Sequence, residues 1–210
     1  MPVEIIAEIA NAHQGDPRTA AALAERAFAA GADAVKFQIY YADELLVERH
    51  PRFAHFSDQA FDAETWAELI PAVTEKGPVY CDVFGPRALA TALAHGTAGV
   101  KVHSSDTGNM TLLHQVADTG CRAFLSAGGT TARELHRAID VFAERGFRPV
   151  LLHGFQSYPT QVEASNLARL AWLDETFGNV ADIGYADHVA GDDPFAHILA
   201  AMALGYGIRV

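Results

Sequence analysis

Lys36 and Lys101 lie inside runs that are otherwise apolar, VKFQI and VKV, where an ammonium group needs a carboxylate or an anionic ligand beside it. Together the two lysines could grip a phosphate or carboxylate, or each could be held in a structural ion pair with Glu8 or Asp82. A Schiff-base nucleophile would also have to be a lysine. Ser104, Ser105 and Asp106, ahead of Gly108 and Asn109, form a polar turn whose hydroxyls and backbone N–H groups could hold phosphate or cap the next helix. Ser126-Ala-Gly-Gly carries the same two readings. His188 follows Asp187, and an imidazole oriented by a neighbouring carboxylate can coordinate a divalent metal or move a proton. A strand-end histidine that is merely hydrogen-bonded is the alternative, and His13 and His153 are weaker instances of the pattern. No His-Glu-x-x-His, Gly-x-Ser-x-Gly or Gly-x-Gly-x-x-Gly occurs, so metalloprotease, hydrolase and dinucleotide chemistries lack their usual signals.

These groups sit at or near the ends of seven short apolar runs: Val3–Glu8, Ala34–Gln38, Val79–Asp82, Val100–Ser104, Ala123–Ser126, Val150–Gln156 and Asp182–His188. Catalytic groups of parallel α/β barrels collect on the face where strands end, so polar termini on strand after strand predict one shared pocket and an enzyme. The intervals between runs, about 25–30 residues, suit βα units. Helix ends are marked: Asp16 and Pro17 open a helix that runs through Ala30 and stops at Gly31, and Thr131 with Glu134 forms a capping box ahead of Leu135, Ile139 and Phe142. Glu64–Thr74, Thr111–Thr119, Asn166–Phe177 and Pro194–Leu204 read as further helices. Tyr40–Phe61 reads as a longer connection rich in His, Phe and acidic residues, either a substrate-covering loop or a plain surface excursion. Gly207–Val210 opens an eighth apolar run. The expected fold is one α/β domain over residues 1–210, a TIM-type (β/α)8 barrel truncated at the start of its eighth strand.

With 210 residues, half of them hydrophobic, the chain can bury a sizeable core. Fifteen basic residues against 26 acidic ones give a net charge of -11, which opposes non-specific binding to nucleic acid or anionic membrane and leaves any anionic ligand to a few local cations. No apolar window approaches a membrane span, and the start, MPVEIIAEIANAHQGD, lacks a basic leader, so a cytoplasmic location is expected. Cys81 and Cys121 form no Cys-x-x-Cys pair and read as core thiols.

The segments AEIANAHQGD, GADAVKFQIYYADELL, VKVHSSDTGNMTLLHQVADTG, FLSAGGTTARELHRAI, LLHGFQSYPTQVEASNLARL and IGYADHVAGD, in unbroken order, resemble the sialic acid synthase family. The resemblance runs from Ile5 to the end, and LLHxxxxYPT with NL downstream is its most specific signature. It implies condensation of phosphoenolpyruvate with an N-acetylated aldose such as N-acetylmannosamine to give a nonulosonic acid, in carbohydrate biosynthesis. It also implies a divalent metal (Mn2+ or Mg2+) and a homodimer in the full-length form. By the same resemblance Glu8 contacts the amino-sugar acceptor, Lys36, Lys101, Ser104 and Ser126 hold phosphoenolpyruvate, Tyr158 lies in the acceptor site, and His188, paired with Asp187, is one of two metal histidines. The chain departs from the family pattern at Asp82, where a small hydroxyl is usual, at Gln156 in place of asparagine, and at Ala186 in place of serine. Asp82 and Gln156 are accordingly candidate substrate contacts. The family's second metal histidine and its antifreeze-like domain, which lends an arginine to the partner's site, would lie past Val210. A diverged aldolase or lyase that does not use phosphoenolpyruvate, and a non-catalytic barrel fragment, are the competing readings.

Overall fold

Within each part of the chain, strand pairs with strand in parallel, as a βα rhythm requires. The computed structural model describes residues 3–210, and the chain divides into two units, Glu4–His103 and, apart from its first residues, Ser104–Val210.

In Glu4–His103, β1 (Ile6–Glu8), β2 (Ala34–Ile39), β3 (Val79–Val83) and β4 (Gly99–Val102) lie side by side in that order. Helix α1 (Pro17–Ala29) opens on Asp16, whose carboxylate accepts from the Arg18 N–H, and Gly31 follows its end at φ +99°. The Tyr40–Phe61 connection is more ordered than expected: it contains α2 (Ala42–Leu45) and α3 (Phe53–Gln59). Tyr41 and Arg52 stand at their N-caps without a side-chain capping hydrogen bond, so the signal that marked other helices is missing there. Helix α4 (Ala63–Thr74) is capped by Asp62, and α5 (Pro86–Ala94) follows β3.

Strand alternation divides the side chains of β2 and β3 between two faces. Val35, Phe37 and Ile39 are fully buried, Phe37 against Trp66 of α4 at 5.8 Å between rings, a burial worth about 1.5–3 kcal/mol for the phenylalanine. Lys36 and Gln38 point the other way. In β3, Val79, Cys81 and Val83 alternate with Tyr80 and Asp82, and all five are buried, which is why the strand reads as nearly continuous in apolar residues. Registers match Glu8 to Lys36, Gln38 to Asp82, and Asp82 to Lys101, so the period of two puts these five polar side chains on one face.

In Ser104–Val210, β5 (Arg122–Ser126), β6 (Val150–His153) and β7 (Asp182–Tyr185) run parallel in order. Between and after them come α6 (Met110–Asp118), α7 (Ala132–Ala143), α8 (Ala168–Phe177) and α9 (Ala196–Leu204). Both halves of the predicted capping box at Thr131 and Glu134 form, and Leu135, Ile139 and Phe142 are buried on one face of α7. The Gly207–Val210 run lies beside β7: Tyr185 N–H donates to the Val210 carbonyl at 2.8 Å, and Arg209 N–H to the Ile183 carbonyl at 2.9 Å.

Several strands end earlier than the apolar pattern predicts. Ser104 opens a 3-10 turn, Ser104–Asp106, instead of closing β4. Gln156 lies three residues beyond β6, and Asp187 and His188 lie beyond β7. Their side chains are therefore placed by loop hydrogen bonds and not by the pleat.

Candidate functional site

On one face of β1–β4, four charged side chains meet. Lys36 Nζ lies 2.8 Å from Glu8 Oε2 and 2.9 Å from both Asp82 oxygens, the aligned hydrogen bond going to Oδ2. Lys101 Nζ lies 2.7 Å from the same Asp82 Oδ2. Asp82 is 0 % exposed, Lys36 5 % and Lys101 6 %, whereas the Glu8 side chain keeps 34 % of its surface. Gln38 Nε2 donates to Glu8 Oε1 at 2.8 Å, completing the cluster.

Burial pushes the Glu8 carboxyl up, but the charges of Lys36 and Lys101, with hydrogen bonds from Lys36 and Gln38, outweigh it and bring it down to about 2. Burial pushes Lys36 down, and the Asp82 and Glu8 carboxylates overcome it, holding the ammonium above the ordinary lysine value. Lys36 is thus a fixed cation at neutral pH. Both lysines take the carboxylate partners named for the ion-pair reading, and the two ammonium groups converge on one atom, Asp82 Oδ2. Gln38 was missed by sequence reasoning, although its position two residues after Lys36 puts it on the same face of the strand.

A second polar group forms within Ser104–Val210. Ser104 Oγ donates to Gln156 Oε1 at 2.7 Å, and Gln156 Nε2 reaches Ser126 Oγ at 3.5 Å. Thr107 Oγ1 donates to the Ser126 carbonyl at 3.1 Å. Asn109 caps α6 by accepting from Leu112 N–H, so the capping reading of the Ser104–Asn109 turn holds for its last residue. The two glycines after Ser126 serve a close approach of loops: a Cβ on Gly128 would stand 2.1 Å from the Gly154 carbonyl oxygen and 2.4 Å from Gln156 Nε2.

The loop after β7 corrects one expectation. Asp187 does not orient the His188 ring; its Oδ1 accepts from Val189 N–H at 3.0 Å and Tyr185 OH at 3.2 Å, closing a local turn. The ring is held by its Nδ1–H, which donates to the Phe155 carbonyl at 2.7 Å. Tyr158 lies edge-on to His188 at 6.3 Å and is 81 % exposed. A carbonyl-bound imidazole is the usual setting of a metal-ligating histidine. Among the described residues, however, no three His, Cys, Asp or Glu side chains gather to hold an ion. His188 and Asp187 alone do not make a metal centre.

His153 is buried behind this loop, donating from Nε2 to the Ser165 carbonyl at 2.9 Å, and burial lowers its pKa. It lines a cleft of about 310 Å³ with Gly129, Gly154, Phe155, Gln156, Asn166 and Arg169, among others. Arg169, which burial pushes below the ordinary guanidinium value, carries no local sequence signal that marks it as a cleft residue. A larger open depression of about 670 Å³ follows Asp43–Arg49 and is lined by none of the predicted site residues. His13 is buried and lies tilted against Phe61 at 4.4 Å between rings, in the core position of a packed histidine.

Parallel βα units carrying ionisable groups at and just past their strand ends are the layout on which α/β enzymes build their sites. The family model described as the NeuB family matches residues 23–208, and the chain belongs to that family. An uncharacterized protein of Methanocaldococcus jannaschii is 30 % identical over 200 residues, covering 90 % of this chain and 56 % of that protein. The N,N'-diacetyllegionaminic acid synthase of Campylobacter jejuni is 28 % identical over 220 residues, covering 96 % of this chain and 64 % of the synthase. Among solved structures, the N-acetylneuraminic acid (sialic acid) synthetase of Leptospira borgpetersenii, in complex with citrate, matches with a TM-score of 0.91 at 28 % identity, covering 100 % of this chain and 71 % of that one. The chain thus spans more than half, and less than two thirds, of these curated relatives. No helix among the described residues is long and apolar enough to cross a membrane.

Proposed function

We propose that this chain is the catalytic part, a TIM-type barrel, of an enzyme that condenses phosphoenolpyruvate with an N-acetylated aldose to give a nonulosonic acid. The observation that carries the reading is the convergence of two buried ammonium groups, Lys36 and Lys101, on one point between parallel strands. Such a pair suits a donor whose negative charge grows on the departing phosphate oxygen. Membership of the NeuB family and the synthase names among its relatives support the substrate class.

In this reading the enol carbon of the donor forms the new C–C bond to the aldehyde carbon of the sugar. Water then adds at the donor's second carbon, and phosphate leaves with the electron pair of its C–O bond. Lys36 and Lys101 hold the anion throughout. Glu8, ionised far below neutral pH and partly exposed, is an acceptor-only group suited to sugar hydroxyl or amide N–H donors, with Gln38 fixing its orientation. Ser104, Ser126 and Gln156 supply neutral hydrogen bonds to the donor, and Tyr158 offers the sugar an exposed ring. A divalent ion would take His188 Nε2 as one ligand and would supply Lewis-acid polarisation of the sugar aldehyde.

A Schiff base at Lys36 is disfavoured because the ammonium is held protonated. Incubation with phosphoenolpyruvate, Mn2+ and N-acetylmannosamine should release phosphate only when the sugar is present. Sugar-independent release, or borohydride trapping of a carbonyl substrate on Lys36, would overturn the assignment.

A further inference from the structure

The charges of the β1–β4 cluster cancel: Lys36 and Lys101 face Asp82 and Glu8. Asp82 stands between the strands that carry the lysines, directly opposite Lys101 in register and beside Gln38. It has no surface of its own and engages both ammonium groups through the same oxygen, while Oδ1 has no aligned donor. Glu8 is different in kind: of the two lysines it touches only Lys36, its other oxygen accepts from Gln38, and it remains partly exposed.

A net-neutral cluster does not attract an anion as two uncompensated cations would, because each lysine field is already answered at under 3 Å. Drawing the ammonium groups toward an incoming anion strips a wholly buried carboxylate of its partners, and a buried charge without a partner is strongly unfavourable. We propose that Asp82 is a resident anion that sets the affinity and specificity of the lysine pair, so that an anionic donor is held by exchange against Asp82 and not by an open cationic site. The inference rests on the proposed use of the lysine pair by an anionic donor, and it adds a specificity-determining role for Asp82 that does not require contact with the substrate.

The test is calorimetric titration of inorganic phosphate and, separately, phosphoenolpyruvate into the chain and its Asp82→Asn and Glu8→Gln variants at low ionic strength. Asp82→Asn removes one negative charge with little change of shape and should tighten phosphate binding by about tenfold or more. Glu8→Gln should give a smaller gain, since solvent already screens that carboxylate. Unchanged or weaker binding by Asp82→Asn, no gain in Glu8→Gln, or a larger gain there than in Asp82→Asn, overturns the proposal. If Asp82→Asn is too unstable to titrate, Glu8→Gln still decides the sign. The rise in melting temperature with added phosphate, greater in Asp82→Asn than in the unaltered chain, then supplies the comparison. Tighter phosphate binding with no sugar-dependent turnover keeps this inference and removes the proposed reaction; turnover with no gain in the variants does the reverse.

Discussion

The polar groups of Glu4–His103 and those of Ser104–Val210 are built on opposite principles. The first set is charged, mounted within strands and buried except for part of Glu8, so the pleat fixes each side chain and the Asp82 ion pairs are made below the surface. The second set is polar and mounted at or past the strand ends: Ser126 closes β5, Ser104, Gln156 and His188 lie beyond their strands, and hydrogen bonds to one another or to a carbonyl hold them. Buried charge gives strong but rigid fields, because any rearrangement exposes an unpaired ion to low dielectric. Loop hydrogen bonds are individually weak and easily exchanged for those of a ligand.

Four substitutions or conditions test that contrast. Asp82→Ala should be the most damaging, since it leaves two buried ammonium groups with only a partly exposed carboxylate; a loss of about 3–5 kcal/mol in urea unfolding is expected. Gly128→Ala should cost about 1–3 kcal/mol, because its methyl group would press into the Gly154 carbonyl and force the loops apart. Ser104→Ala should cost only about 0.5–1.5 kcal/mol, visible as a shift in unfolding midpoint without a change of slope. If Ser104→Ala proved as destabilising as Asp82→Ala, the distinction between the two sets would fail.

The smallest effect concerns acid. Glu8 is lowered in the folded chain from 4.5 to about 2, so its contribution is fully present above the unfolded value and is lost as pH falls from about 4.5 through about 2. Partial exposure keeps that contribution modest. Glu8→Gln should flatten the stability profile in that window and leave the slope at neutral pH unchanged; an unaltered acid limb would show that Glu8 is not perturbed.

The strand-borne half of the site was legible because charge inside an apolar run is conspicuous and the period of two assigns its face. Lys36, Lys101, Asp82 and Glu8 stood out for that reason, and their carboxylate partners could be named as one of two readings. What the pattern could not say is that one aspartate serves both lysines, since that depends on register between strands far apart in sequence. The loop-borne half was less legible. Gln156, Asp187 and His188 lie past their strands, where nothing periodic sets direction, and the Asp187 turn to Val189 was readable only as a local aspartate motif that was passed over. Helices α2 and α3 escaped notice because they are short and open on Tyr41 and Arg52 in place of a capping side chain. Arg169 reaches the cleft from a helix whose own pattern gives no hint of it.

Cys81 sits on β3 beside Asp82 but on its opposite face, fully buried, and burial pushes its thiol up to about 12. In the native chain it is therefore inert to alkylating reagents at neutral pH, while the less buried Cys121 offers a surface label. Modification of Cys81 becomes a clock for opening of the strand that carries Asp82, readable by mass spectrometry without altering a residue. Any ligand that tightens this part of the sheet would slow that clock.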